Sequence, residues 1–466
     1  MSSDVAADHA VTSIVQDLRV AYDAGVMRSL DARRTQLKQL RRMLVEAEAA
    51  ILAAMVADLG KPPMEAYAAE IGLVLTEIDE ALKHLGAWAA PERTKVALAF
   101  KPGAAEVVPE PLGVVLIIAP WNYPVQLLLA PLVAALAAGN TVVVKPSEVA
   151  PATAAAMAEM IPRYLDTRVV RVVTGGVDET TALLAERFDH IFYTGNGTVG
   201  RIVMTAAAKN LTPVTLELGG KSPTIVAADA DLRVAARRIA WGKFLNAGQT
   251  CVAPDYVLVA ESVEADFTKQ LTHAIEDFYG KDPQASPDYA RIVNERHWDR
   301  LTGLLDGGGY ETTVCGGHGD RATKFIPPTV LRGVKPDAAL MQEEIFGPLL
   351  PVISVTDIDE AIRFVNDRDK PLALYIFSRS EATISRVLER TSAGGVCINH
   401  TVVHVAVGAL PFGGVGGSGM GAYHGKAGFD TFSHRKAVLR KPTKPDPSIL
   451  YPPYKAWKFK LVRKVL

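Results

Sequence analysis

His190-Ile191-Phe192-Tyr193-Thr194-Gly195-Asn196-Gly197-Thr198-Val199-Gly200 is the stretch that decides the fold. His190 to Tyr193 is a short β-rich run and predicts a strand; a helix is predicted after the glycines. Between the two, Gly195, Gly197 and Gly200 spell G-x-G-x-x-G. Glycines so spaced let the backbone approach a pyrophosphate at a helix N-terminus, and a strand before with a helix after is the context a dinucleotide fingerprint needs. An ordinary strand-to-helix turn is the plainer alternative. The same pattern recurs at Gly414, Gly416 and Gly419, where no strand clearly precedes it, and a flexible loop is expected there.

Outward from this stretch the pattern repeats. Upstream, Val114 to Ile118, Thr141 to Val144 and Val169 to Val173 are short β-rich runs with helical segments between them. Such alternation predicts parallel βαβ units. Downstream, a second series begins near Thr224 to Ala227 and continues through Tyr256 to Val259 and Pro348 to Val355, with helices around Leu232 to Leu245 and Val263 to Phe278. A second α/β domain is the natural reading. The first ninety residues read as helices, with Leu30, Leu37, Leu40, Leu44, Ile51, Leu52, Met55 and Leu59 at roughly three-to-four spacing. Gly60, Lys61, Pro62 and Pro63 stop them, and another helix runs from Glu70 to Trp88. Lys95 to Pro111 reads as extended, and Pro442 to Leu466, rich in Pro and Lys, as an extended arm.

At 466 residues the chain is too long for one ordinary core, and 49% hydrophobic with 22% charged residues is globular composition. A formal net charge of -1 suggests no nucleic-acid footprint. Cys251, Cys315 and Cys397 are odd in number, far apart and form no C-x-x-C pair, so neither a disulfide framework nor a metal site is expected, and a reducing, cytoplasmic setting fits. Met1 to Ala10 carries acidic residues and no apolar segment, so neither a signal nor a transit peptide is expected. Val125 to Ala138 is the clearest apolar stretch, but it contains Gln126 and Pro131 and falls short of a membrane span. It predicts a buried helix.

The generic fingerprint would assign a ribose to an acid about twenty positions on, which is Glu217. The neighbours of Glu217 point elsewhere. Leu216-Glu217-Leu218-Gly219-Gly220-Lys221-Ser222-Pro223 and Asn246-Ala247-Gly248-Gln249-Thr250-Cys251 resemble the glutamate and cysteine signatures of the aldehyde dehydrogenase superfamily, with Cys251 thirty-four residues after Glu217. Pro120-Trp121-Asn122-Tyr123-Pro124 resembles its oxyanion-asparagine segment, Lys145-Pro146-Ser147-Glu148 its ribose segment and Glu344-Ile345-Phe346-Gly347-Pro348 its nicotinamide-side segment. Pro411-Phe412-Gly413-Gly414 completes a set of six motifs in order, and the resemblance runs from about Leu30 to Lys436.

The resemblance implies an α/β, aldehyde dehydrogenase-like fold of two parallel-sheet, Rossmann-type domains plus a small oligomerisation arm. Residues 1–217 would bind NAD(P), with a bridging excursion near 94–112; 218–396 would be catalytic; 397–466 would return to the cofactor domain and end in the arm. Implied cofactor contacts are Trp121, Lys145, Ser147, Glu148, Gly195, Asn196, Gly200, Leu218, Glu344 and Phe346. Lys145 and Glu148 would meet the adenosine ribose, although Pro146, Ser147 and Glu148 also suit a plain helix start. Asn196 replaces the serine found in other branches.

The chemistry explains these residue types. A trigonal aldehyde carbon has no electron pair to push hydride out, whereas attack by the Cys251 thiolate makes a tetrahedral oxyanion that re-forms the carbonyl as hydride leaves. The thioester product is then hydrolysed. Thiolate is scarce near neutral pH, so the site must lower the thiol pKa or place a base beside it. Glu217 is the candidate base, since it opens a Gly-Gly segment flexible enough to approach Cys251, while Glu344 looks fixed beside Phe346 and Pro348. Asn122 and the Cys251 backbone N–H would hold the oxyanion. Cys315, Cys397, His424 and His434 read as structural.

Tyr423-His424-Gly425-Lys426, Phe429-Asp430-Thr431-Phe432-Ser433-His434 and Tyr451-Pro452-Pro453-Tyr454 resemble the class 3 branch. Its members are typically dimers that oxidise medium- and long-chain aliphatic or aromatic aldehydes, and NAD with some NADP use is the implied cofactor choice. Transfer of the acyl group to coenzyme A or phosphate is the close rival. A catalytically idle, membrane-interacting protein is the distant one, drawn from Lys455, Lys458, Lys460, Arg463 and Lys464 interleaved with Trp457, Phe459, Leu461 and Val462.

Overall fold

The computed structural model describes residues 2–465. Helices fill the chain up to Trp88, and two strands follow, β1 (Glu92–Thr94) and β2 (Ala104–Pro111). A first parallel series comprises β3 (Val114–Ile118), β4 (Thr141–Lys145), β5 (Val170–Val172), β6 (His190–Gly195) and β7 (Val214–Leu218). A second comprises β8 (Pro223–Val226), β9 (Tyr256–Ala260), β10 (Thr312–Cys315), β11 (Thr329–Arg332), β12 (Leu349–Val355), β13 (Ala373–Phe377) and β14 (Gly395–Ile398). The short β15 (Gly419–Met420) and the longer β16 (Ser433–Arg440) close the chain.

The first sheet has the order β15-β7-β6-β3-β4-β5. The chain runs outward from β3 to β5, then returns to the other side of β3 for β6 and β7. Strand order therefore reverses between β3 and β6, and parallel sheets open a crevice outside the carboxyl ends at such a point. Both faces are covered, which is why the strands read as continuous apolar runs. Val115 and Ile117 pack on the helices Leu30–Glu46, Gly72–Trp88 and Gln126–Ala138, whereas Val114, Leu116 and Ile118 pack on Ser2–Asp23, Val177–Ala185 and Gly197–Ala208. Every residue of Gln126–Ala138 is buried, as its apolar sequence implied.

The second sheet has the order β10-β11-β12-β9-β8-β13-β14, parallel except for β10. Cys315 and Cys397 lie on its two opposite edge strands. A third sheet, β1-β2-β16, stands mostly exposed as an antiparallel arm in which β16 pairs with β2 from Ser433 opposite Pro111 to Arg440 opposite Ala104.

Two expectations need correction. The Gly414–Gly419 stretch is not a flexible loop: β15 pairs antiparallel with β7, and Leu218 N–H donates to Ser418 O at 3.0 Å. Its glycines exist for that closeness, since a Cβ on Gly419 would lie 2.1 Å from Leu216 O. The terminal arm is extended only in its first part and ends in a helix, Ala456–Val465. The last proline is Pro453, and beyond it nothing forbids a helix. Lys458 ties that helix back to the arm through Ser448 O (2.6 Å) and Tyr451 O (2.8 Å).

Candidate active site

β3, β4, β6 and β7 each run, at the carboxyl end, into residues named above: Trp121 and Asn122, then Lys145 to Glu148, then Gly195 to Gly200, then Glu217 and Leu218. The fingerprint thus follows the fourth strand of the series and not the first. At the first, the helix Gln126–Ala138 starts with its N–H groups already taken, because buried Glu70 Oε2 accepts from Val125 N (2.8 Å) and Gln126 N (3.3 Å). After β6 the helix Gly197–Ala208 is capped by a neutral side chain, Asn196 Oδ1 accepting from Val199 N at 2.9 Å. Gly200 lets this helix close on β7, where an added Cβ would lie 2.9 Å from Leu218 Cδ2. A Cβ on Gly197 would meet only the far end of Arg201. This edge has the chemistry to hold a dinucleotide: a helix N-terminus for phosphate, an open glycine beside it, and Lys145 bonded to Glu148 at 2.7 Å. Burial opposes ionisation of Glu148, but the Lys145 ammonium outweighs it and holds the carboxyl below its usual range. Ser147 is buried beneath them, its Oγ accepting from Val149 N.

The segment that leads to Cys251 is strained. Asn246, Ala247 and Gly248 have φ of 52°, 51° and 76°, and each non-glycine residue so placed costs roughly 1–3 kcal/mol. Buried hydrogen bonds hold the turn: Asn246 Nδ2 donates to Asn122 O (2.8 Å) and Gln249 O (3.1 Å), and Gln249 Nε2 donates to Asn246 O and Arg291 O, both at 2.9 Å. Only glycine fits at 248, where a Cβ would lie 2.2 Å from Gly347 O. Asn122 Nδ2 donates to Gln249 O at 3.0 Å, and Tyr123 Oη meets Thr250 Oγ1 at 2.8 Å. The asparagine and cysteine segments are therefore joined, with half-buried Cys251 at the end of the turn.

Burial pushes the Cys251 thiol up to about 12, Glu344 and then Glu217 push the same way, and the N–H groups of Cys251 and Val252 pull it back. Both carboxylates are thus within electrostatic reach of the sulfur. Burial also carries the Glu217 carboxyl well above its usual range, and among the described residues neither of its oxygens has a hydrogen-bond partner. Glu217 does not sit in a flexible Gly-Gly segment. It belongs to β7, opposite Thr194 of β6 and Gly419 of β15. Leu216 and Leu218 face the Gly197–Ala208 side, so the two-residue period sends the carboxylate to the other face, near Tyr423 and Cys251. Its reach comes from the side chain, not from a loose backbone.

Glu344 stands on a rigid support. Arg300 donates to Ile345 O at 2.6 Å, Asp255 Oδ1 accepts from Ile345 N at 3.0 Å, and Lys221, paired with Asp255, donates to Leu340 O (2.7 Å) and Glu343 O (2.9 Å). The Glu344 carboxyl lies against Gly219, where a Cβ would sit 1.9 Å from Oε2, and burial followed by Asp255 pushes it up to about 8. Phe346 has φ 48°, and its ring meets Trp121 edge-on at 5.4 Å; the His297 ring also packs against Trp121, at 4.8 Å. His424 is bonded to Glu77 at 2.6 Å, as a structural histidine would be.

Sequence reasoning passed over Glu65, Asp255, His297 and Arg300, and it quoted Lys61, Glu70, Lys221 and Tyr423 without a role in the site. Their partners are distant in sequence, and no spacing marks them.

A model described as "Aldehyde dehydrogenase family" matches residues 3–438. "Aldehyde dehydrogenase family 3 member A2" of Mus musculus is 53% identical over 94% of this chain and 90% of its own. "Aldehyde dehydrogenase, dimeric NADP-preferring" of Canis lupus familiaris is 49% identical over 95% of this chain and 98% of its own. Among solved structures, "Substrate bound state of Staphylococcus Aureus AldH" superimposes with a TM-score of 0.95 at 46% identity, over 97% of this chain and 99% of that one.

Proposed function

The chain belongs to the aldehyde dehydrogenase family, and on that premise we propose that it oxidises an aldehyde to a carboxylic acid through a covalent adduct on Cys251. The buried Glu217 carboxyl, without a hydrogen-bond partner among the described residues and within electrostatic reach of the sulfur, carries this reading. Once its proton has passed to solvent, the Cys251 sulfur adds to the aldehyde carbon. Asn122 Nδ2 and the Cys251 N–H stabilise the oxyanion, and its collapse re-forms the carbonyl as a thioester. A bound nicotinamide supplies the hydride acceptor. Glu217 then takes a proton from water as it attacks the thioester, and burial raises the basicity it needs near neutral pH.

The cofactor residues are Trp121, Lys145, Ser147, Glu148, Gly195, Asn196, Gly200, Leu218, Glu344 and Phe346, in a domain of residues 1–217 facing a catalytic domain of 218–396. Glu148 would repel a 2′-phosphate, so NAD is preferred with some NADP use; the canine relative is called NADP-preferring. The substrate is a medium- or long-chain aliphatic or aromatic aldehyde, and the enzyme is a cytoplasmic homodimer bridged by the β1-β2-β16 arm. The terminal helix, with Trp457 and Phe459 exposed between basic residues, supports a weak peripheral membrane contact.

Rapid mixing tests the assignment. Glu217→Gln should release a burst of NADH near one per site and stall as a thioester on Cys251 visible by mass spectrometry, whereas Glu344→Gln should lose the burst. A thioester that accumulates in Glu344→Gln while Glu217→Gln turns over normally exchanges the two roles. An acyl-coenzyme A thioester or an acyl phosphate as wild-type product would favour the acyl-transfer rival.

A further inference from the structure

Lys61 and Glu70 are both fully buried and form an ion pair at 2.5 Å, and neither is among the residues assigned above to the nucleophile, its base or the cofactor. Buried pairs are seldom worth more to stability than apolar residues of the same size. What this pair touches is informative. Lys61 Nζ also donates to Asn122 O at 3.0 Å and stands 4.1 Å over the Tyr123 ring. The second oxygen of Glu70 takes the N–H groups of Val125 and Gln126. One pair therefore holds both ends of the turn that carries Asn122.

The backbone around it is built for that placement. Tyr67–Ile71 is a π-helical turn between the short helix Pro63–Ala66 and the long helix Gly72–Trp88, and Glu70 lies within it. Such turns insert an extra residue and re-aim side chains, frequently at functional sites. Glu65, on the same segment, accepts from Asn246 N at 2.8 Å, so ten residues of chain bracket the asparagine segment and the cysteine turn together.

We propose that Lys61 and Glu70 are positioning residues for the oxidation, fixing the Asn122 backbone so that its amide meets the oxyanion formed on Cys251. The proposal rests on the oxyanion role assigned to Asn122. The ammonium fixes the peptide oxygen, the carboxylate fixes the helix start, and the amide inherits its direction from both.

A double-mutant cycle on the NADH burst rate tests it, in folded full-length enzyme with NADH binding measured in parallel. Asn122→Ala alone should slow the burst by roughly a hundred- to thousandfold. Lys61→Met/Glu70→Gln removes both charges together and keeps an acceptor for Val125; it should slow the burst about tenfold to a hundredfold in the wild-type background. In the Asn122→Ala background the same change should have almost no effect, with NADH affinity unchanged in both. Equal losses in the two backgrounds, or no loss in the wild type, overturn the proposal in favour of general packing. An unchanged burst in Asn122→Ala alone would instead overturn the oxyanion role and the route through which the pair acts. Should the double variant not fold, Lys61→Arg keeps the cation and alters its reach; its partial loss should likewise vanish without Asn122, and no loss at all overturns the proposal.

Discussion

The six-stranded sheet meets the site with the carboxyl ends of its strands, and the seven-stranded sheet meets it with its amino ends. Asn122, Lys145, Gly195 and Glu217 lie at the ends of β3, β4, β6 and β7, whereas Cys251 precedes β9 and Glu344 precedes β12. The carboxyl ends of the second sheet open on another crevice of about 380 Å³, lined by Ala227, Asp229, Ser262, Thr356, Asp357 and Thr383. Three helices begin there, but Asp231, Asp357 and Ser380 already cap them. The two acidic caps, Asp231 and Asp357, neutralise ends that would attract an anion, whereas Ser380, like Asn196 on the first sheet, leaves its helix start uncharged. Parallel topology offers two such edges, and the residues at the helix starts decide which one can receive a phosphate.

The largest effect should come from the amino edge. Cys251→Ala is expected to abolish aldehyde oxidation while NADH titration shows unchanged affinity; Cys315→Ala and Cys397→Ala, on outer strands, should be nearly silent. Loss of cofactor binding in Cys251→Ala would break the division between the edges.

A pH experiment sharpens it next. The thiol is raised to about 12, so iodoacetamide labelling of Cys251 in free enzyme should climb with pH across the accessible range. Glu344, raised to about 8, becomes anionic above that value and opposes the thiolate. Glu344→Gln should therefore label faster than wild type above about pH 8 and like wild type well below it. Slower labelling in the variant would show that Glu344 assists ionisation.

At the carboxyl edge the effects should be smaller. Glu148→Gln is expected to narrow the preference for NAD over NADP several-fold in kcat/KM without changing kcat, and a wild type that strictly requires NADP would refute the ribose placement. In the crevice of the second sheet Thr383→Val should leave kcat and KM within about twofold, as surface changes away from special features usually do.

Much of this was legible before any coordinates. β3, β4, β6 and β9 announced themselves because a strand covered on both faces must be apolar throughout. β10 and β14 did not, since an edge strand of four half-exposed residues such as Thr312–Cys315 leaves no period to read. β7 was hidden for a different reason: its alternation carries Thr215 and Glu217 on one face, and the Gly-Gly that follows looked like the beginning of a loop.

By itself, the sequence determined the alternating α/β plan, the glycines where backbone must come close, and the residue types that this chemistry needs, because local periodicity and turn chemistry are written in neighbouring residues. Tertiary structure alone decided which helix start stays open, which face of β7 bears Glu217, and how Lys61 and Glu70 come to hold Asn122, since each depends on segments far apart along the chain being packed together.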